Sequence, residues 1–392
     1  MKKFVGVLAA SALAAAAWAA PAQAAEVRIG YSIAKTGLFA PAAPSQINAY
    51  NLWAEQVNAR GGLDLGGKER RKVKLIQYDD QSNPGNAVKI YEKLITQDKV
   101  DLLLSPWGTP HHFAIASVLE RHKFPMIGST ASSVQLRNMK PGNIWFTTAA
   151  VADKLATAMV GLLQTAGVKS VAVLTNQLPF GQENKKFLMP ALKAAGIEVL
   201  VDADYPPNIK DMTAILVKVK AAKPDGVIGL AYPGDSILYI NKAREIGIAA
   251  KFQYLLVGPA IGFFRGMFKG AADGIVTLGH WSPHGDNARS KAFYAAYKKK
   301  FKQEPDYLDS VEAWVSVEIL EQAVAKAGLD KDKLRQAIST GTFDTIIGKV
   351  RFDGVQNAVT PTGFLQIQKG ELHVVWPKDR QTAPLAPKTG WK

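Results

Sequence analysis

Short apolar runs alternate with longer amphipathic stretches along most of this chain, and that pattern predicts strands and helices in succession. Residues 27–33 read as a first strand and 45–60 as a helix stopped by Gly61 and Gly62. A strand over 73–78, a helix over 85–97, a strand over 100–105, a helix over 109–122 and a strand over 124–127 follow. The alternation then restarts, with strands over 170–174, 197–203, 225–230 and 252–257 separated by helices over 181–195, 211–221 and 234–246. Apolar strands that each lead into a helix predict parallel sheets covered on both faces, because a parallel crossover usually needs a helix to bring the chain back. No short period recurs, so the expectation is two similar α/β lobes and not a solenoid.

Between the two series, Pro141-Gly142-Asn143 and an extended Ile144-Trp145-Phe146 read as a crossover and not as a further sheet strand. The tail changes character. Helices over 287–301, 307–327 and 331–339 precede short strands near 349–352, 363–368 and 372–376, with Lys369-Gly370 as a hairpin turn. Residues 380–392 are proline-rich and are expected to fray.

The N-terminus sets the compartment. Lys2 and Lys3 precede an apolar run over residues 4–20, and Pro21 and Ala22-Gln23-Ala24 follow it, the pattern of a secretory signal cleaved after residue 24. The run is too short and too rich in alanine for a permanent membrane span. The absence of cysteine excludes a disulfide framework, thiolate metal sites, cysteine nucleophiles and a lipid anchor on an N-terminal cysteine. A free periplasmic protein is the expectation. Apolar content of 47% and charged content of 21% are those of an ordinary globular chain. The net charge of +15 is scattered: the cluster over 68–74 includes Glu69, and Lys298, Lys299, Lys300 and Lys302 read as one solvated helix end. This favours solubility and attraction to acidic surfaces over nucleic-acid binding.

Ligands of open parallel sheets bind beyond the carboxyl ends of the strands. The loops placed there carry Phe39, then Trp107, Thr109 and His111, then Ser129, Thr130 and Ser132, and in the second series Phe180, Tyr232 and Asp235. Hydroxyls and helix-terminal N–H groups in such loops suit a carboxylate, and the aromatic rings suit apolar walls. The same serines and threonines also suit helix capping. Catalytic signatures are missing: there is no phosphate-loop lysine pattern, no Gly-x-Ser-x-Gly elbow and no His-Glu-x-x-His. His111 and His112 point about 100° apart on a helix, and Pro283 opposes the helix that would align His280 with His284, so no metal site is expected. Asp79 and Asp80 read as turn-stabilising acids before Asn83-Pro84-Gly85.

Val27-Arg28-Ile29-Gly30 with Thr36-Gly37, Val57-Asn58-Ala59-Arg60-Gly61-Gly62, Tyr78-Asp79-Asp80 with Asn83-Pro84, Pro125-Met126-Ile127, Phe180-Gly181 and Ala243-Arg244-Glu245-Ile246-Gly247 together resemble the leucine/isoleucine/valine-binding proteins of bacterial ABC transporters. The resemblance spans essentially the whole chain after the signal. It implies the type I periplasmic binding protein fold, with two doubly wound parallel-sheet lobes joined by three crossovers. The implied lobes are residues 25–148 with 279–354 and residues 149–278 with 355–392.

The same resemblance implies a small carboxylate, such as an amino acid, held by Thr109, Thr130 and Ser132, with Phe180 closing over it and Tyr232 as a further contact. It implies no catalysis and no cofactor. The implied partners are an inner-membrane permease and its ATPase subunits, with the binding protein itself a monomer. Two positions depart from the family. Its frequent first-lobe disulfide would fall on Ser82 and Gly108, and the second-lobe acid that meets a ligand ammonium would fall on Ala260. Asp235 is the candidate replacement for that acid; Trp107 with His111 would suit a flat ligand, which keeps an aromatic acid or amide, or a sensory role, as alternatives.

Overall fold

A computed structural model describes residues 26–67, 69–139 and 142–391, so the expected signal over 1–24 lies outside the described residues. The first sheet has eight strands, in the order Thr342–Thr345, Gly348–Asp353, Gln356–Asn357, Ile144–Phe146, Met126–Gly128, Leu102–Leu104, Val27–Ile33 and Val73–Asp79. Its last five strands in that order pair in parallel. The second sheet has seven, in the order Glu371–Trp376, Phe364–Gln368, Ile275–Leu278, Phe252–Leu255, Gly226–Leu230, Ser170–Asn176 and Glu198–Tyr205. There Phe364–Gln368 joins the parallel set antiparallel to Ile275–Leu278, and Glu371–Trp376 pairs antiparallel with Phe364–Gln368 in turn.

Local chemistry explains where the helices start. Asn83 caps Pro84–Thr96 by accepting from the amides of Gly85 and Asn86, and Asn287 caps Ala288–Phe301 through Arg289 and Ser290. The strands bury both faces: Val171, Ala172 and Val173 are fully buried in succession, as covered parallel strands require.

Three expectations change. Ile144–Phe146 is a sheet strand, paired in parallel with Met126–Gly128 through Met126↔Ile144, Ile127↔Trp145 and Gly128↔Phe146. Ile144, Trp145 and Phe146 are buried, and the sheet satisfies the backbone groups that such burial takes from water. Gln356–Asn357 is a short strand of the first sheet where the sequence pattern marked none, pairing through Phe352↔Asn357 and Gln356↔Phe146. The tail is docked and not frayed. Lys388 donates through Nζ to the carbonyls of Ala271 and Asp273 at 2.9 Å, and Trp391 Nε1 donates to Ile248 O at 2.7 Å. Prolines there preclude regular hydrogen bonding but not packing. The helices Ala152–Thr165 and Gly262–Phe268 and the strand Ile275–Leu278 lie where the sequence pattern marked no element.

The helix Pro179–Ala194 enters the second sheet at close quarters. A β-carbon on Gly181 would lie 2.4 Å from Asn176 O and 3.2 Å from Leu230 O. Gly181→Ala is expected to cost about 1–3 kcal/mol in urea unfolding through overpacking against backbone. An unchanged midpoint would show that this helix is not seated on the strand ends.

Candidate functional site

Loops at the carboxyl ends of both sheets converge on one cavity. In the first lobe, Gly108 adopts φ +89°, a left-handed turn that glycine makes without strain, and delivers the chain into the helix Thr109–Arg121. The loop after Met126–Gly128 runs beside it. Thr109 Oγ1 accepts from Ser132 N at 3.1 Å and donates to Ser132 O at 3.3 Å. Thr130 Oγ1 accepts from Gly108 N at 3.1 Å, and the Ser105 and Ser129 hydroxyls are 2.8 Å apart. These bonds stitch the two loops into one wall.

The cavity between these loops is small, about 50 Å³. Trp107, Thr109, Ser129, Thr130 and Ser132 of the first lobe line it, and Phe180 and Tyr232 line it from the second. Both aromatic residues are at least nine-tenths buried, so the cleft is closed over them. Phe39 stacks on Tyr232 across the cleft, with ring centroids 5.8 Å apart. Glu183, on the helix Pro179–Ala194, accepts from Ser133 Oγ at 2.8 Å and Val134 N at 3.2 Å and so latches the second lobe to the first. Burial raises its pKa.

The remaining expected residues lie elsewhere. Phe39 is not among the lining residues, although its ring meets both walls, its centroid 4.9 Å from that of Trp107 and 5.8 Å from that of Tyr232. His111 is fully buried with Nε2 3.4 Å from Asp80 Oδ1, because its place in the helix turns it toward the first sheet. Asp235 has its oxygens engaged by Tyr205 OH at 2.6 Å, Asn176 Nδ2 at 3.0 Å and Tyr232 N at 3.0 Å. It braces the second-lobe loops and does not border the cavity. Ser82, at one of the family's cysteine positions, ties the loop after the first strand by accepting from Phe39 N at 3.0 Å and donating to Thr36 O at 2.7 Å.

The lining also contains acids that the loop search missed. Asp309 and Glu312, at the start of the helix Asp309–Ala327, border the cavity. Asp309 Oδ2 accepts from Trp107 Nε1 at 2.9 Å, and Glu312 Oε2 accepts from Thr147 Oγ1 at 2.5 Å. Burial, reinforced by the neighbouring Asp306 carboxyl, raises the pKa of Asp309 well above the carboxylate range. Burial likewise pushes Glu312 up to about 7, against the opposing Thr147 hydrogen bond. The readable signal was a pair of acids three apart, one helical turn, inside the otherwise apolar Val311–Val315 neighbourhood.

Away from the cavity, His284, Glu371 and His373 bring ligand atoms within 4.8 Å of one another, a set of donors that suits a divalent metal. Sequence spacing pointed only to His280 as a companion for His284. No helix among the described residues is long and apolar enough to cross a membrane.

A family model described as "Periplasmic binding protein" matches residues 26–371. The chain belongs to the periplasmic binding protein family. Among curated relatives of this binding protein, Leu/Ile/Val-binding protein homolog 7 of Brucella suis is 25% identical, covering 95% of this chain and 96% of the relative. The leucine-, isoleucine-, valine-, threonine- and alanine-binding protein of Pseudomonas aeruginosa is 24% identical over 88% of this chain and 90% of its own length. Similar solved structures include a solute-binding protein of an ABC transporter from R. palustris in complex with benzoate (TM-score 0.79, 22% identity, 92% of this chain and 97% of that one). Another is a branched-chain amino acid transporter substrate-binding protein from Streptococcus pneumoniae with isoleucine (TM-score 0.78, 20% identity, 90% and 100%). They share the two-lobed type I fold, and the family is one of binding proteins and not of enzymes.

Glu312 makes the binding protein's stability pH-dependent in a definite direction. Its pKa is raised in the folded state from the ordinary 4.5 to about 7, so its contribution is full below 4.5 and is lost as pH rises through 7. Glu312→Gln keeps an acceptor for Thr147 without the buried charge. The variant is expected to be more stable than the wild type at pH 8, by up to about 3 kcal/mol in denaturant unfolding, with no such gain at pH 4.5. Equal stability gains at both pH values would show that Glu312 does not titrate in the folded protein.

Proposed function

We propose that this binding protein captures a small organic carboxylate, such as an amino acid, between its lobes and delivers it to an inner-membrane ABC permease and its ATPase subunits. The observation that carries this reading is a single cavity walled by loops from both sheets, with Phe180 and Tyr232 facing Thr109 and Ser132. A ligand there touches both walls only when the lobes are together, so binding shifts the population toward the closed form. The lobes that would move are residues 25–148 with 279–357 and 149–278 with 358–391, hinged where the chain crosses.

The start of the helix Thr109–Arg121 opens on this cavity beside the loop carrying Thr130 and Ser132, a setting that favours an anionic group. Relatives whose names specify branched-chain amino acids support an amino acid, and the neighbour holding benzoate supports an aromatic acid as the second reading. In this reading the signal over 1–24 is removed, the rest works as a periplasmic monomer without a lipid anchor, and it turns nothing over.

A thermal-shift screen of unliganded protein against amino acids, aromatic acids and short aliphatic acids tests the proposal. At least one small carboxylate is expected to raise the melting temperature, and Phe180→Ala or Thr109→Ala to weaken its binding about tenfold or more by calorimetry. The reading fails if no small carboxylate stabilises the protein, or if both variants bind as the wild type does.

A further inference from the structure

The cluster of His284, Glu371 and His373 lies away from the cavity, and none of the three lines it. Glu371 and His373 are two apart on Glu371–Trp376, the edge strand of the second sheet, so both side chains leave the same face of that strand. Leu372 and Val374 are buried on the other face. His284 reaches them from a turn far earlier in the chain, and that turn is held in place. His284 N donates to Ser282 Oγ at 3.3 Å, and the neighbouring Trp281 packs edge-on against Phe293 and Tyr307.

The three side chains surround one point. His284 Nε2 and His373 Nε2 each lie 3.8 Å from the same Glu371 oxygen, Oε2, and the two rings stack with centroids 5.1 Å apart. At 3.8 Å neither imidazole is hydrogen-bonded to the carboxylate, so a His–Glu hydrogen bond does not account for the arrangement. Donors around a tetrahedral zinc ion, each about 2.0–2.2 Å from the metal, stand about 3.3–3.5 Å apart. An inward shift of roughly half an ångström brings the set to that spacing. The Glu371 and His284 side chains, 61% and 40% exposed, are free to make it. The other histidines offer no rival site: His111, His112 and His280 have buried side chains, and His122 Nε2 closes on Glu92 Oε1 at 2.9 Å.

We infer that His284, Glu371 and His373 form a surface site for a divalent transition-metal ion of the zinc class. Two imidazoles and one carboxylate suit such an ion, whereas magnesium and calcium take oxygen ligands. Three protein donors leave the fourth tetrahedral position to water. The site also has a mechanical consequence. His284 belongs to the segment that leaves the second sheet after Ile275–Leu278 and reaches Asn287, whose Nδ2 donates to the carbonyls of Thr345 and Ile346 at the edge of the first sheet, at 3.1 and 3.0 Å. A bound ion clamps this crossing segment to the edge strand of the second sheet. None of this depends on what the cavity between the lobes holds.

Calorimetric titration of zinc chloride into the purified, tag-free protein after chelator treatment tests the site. One equivalent is expected to bind in the micromolar range or more tightly, and magnesium chloride not to bind there. His284→Gln and His373→Gln are each expected to weaken zinc binding about tenfold or more, and Glu371→Gln to weaken it in the same direction. His122→Gln, at the remaining accessible histidine, is expected to bind zinc as the wild type does. All four substitutions alter side chains that reach solvent, so each variant is expected to melt with the wild type in the absence of metal, which separates lost binding from unfolding. No zinc binding in the micromolar range, or binding that survives both histidine substitutions, would overturn the inference. Half an equivalent of zinc accompanied by dimers in size-exclusion chromatography would overturn it too, because the ion would then bridge two copies of the chain.

Discussion

A parallel sheet returns the chain to the same edge after every helix, so the loops that lead into helices collect at the carboxyl ends of the strands. In this protein two such edges face each other, and everything else about the site follows from that geometry. The loops after Leu102–Leu104 and Met126–Gly128 are bound to each other by Thr109, Thr130 and Ser132, while those after Ser170–Asn176 and Gly226–Leu230 are braced by Asp235. Two rigid walls result, and the ring of Tyr232 and the Glu183 carboxylate carry contact between them. Each wall is thereby braced within its own lobe, by Thr109, Thr130 and Ser132 in the first and by Asp235 in the second.

The two walls are not equivalent in charge. Hydroxyls that look free in the sequence are spent on the loops that carry them, which makes them positioning groups more than ligand groups. Among the described residues lining the cavity, Glu312 Oε1 and the Tyr232 hydroxyl are buried without a hydrogen-bond partner. Burying carboxyl groups without cations costs stability, and Glu312 bears that cost in its raised pKa.

Much of the fold was legible from periodicity. Nearly every parallel strand and covering helix lay within a few residues of its expected place, because a covered strand must be apolar throughout and a helix must show a polar face. Ile144–Phe146 was hidden by the Pro141-Gly142 dipeptide that precedes it in the sequence, and Ile275–Leu278 carries no turn signal that sets it apart from its surroundings. The candidate site was legible where it depended on the edge rule alone, which gathered Trp107, Thr109, Ser129, Thr130, Ser132, Phe180 and Tyr232 around the cavity. It was illegible where side-chain direction decided. His111 is two residues from Thr109 yet turns into the core, and Asp235 is three from Tyr232 yet is consumed by Tyr205 and Asn176.

By itself, the sequence determined that this chain builds two α/β lobes with hydroxyl-rich and aromatic loops at their strand ends, and that it lacks the residue patterns of the common catalytic sites. Those properties are local, set by period, turn chemistry and residue type. Only the tertiary structure decided which face of the tail helix enters the cleft. Asp309 and Glu312 lie some two hundred residues from Trp107 in sequence and meet its loop only because the chain crosses back to the first lobe. Charge balance in a buried site depends on which groups are neighbours in space, and no spacing along the chain encodes that.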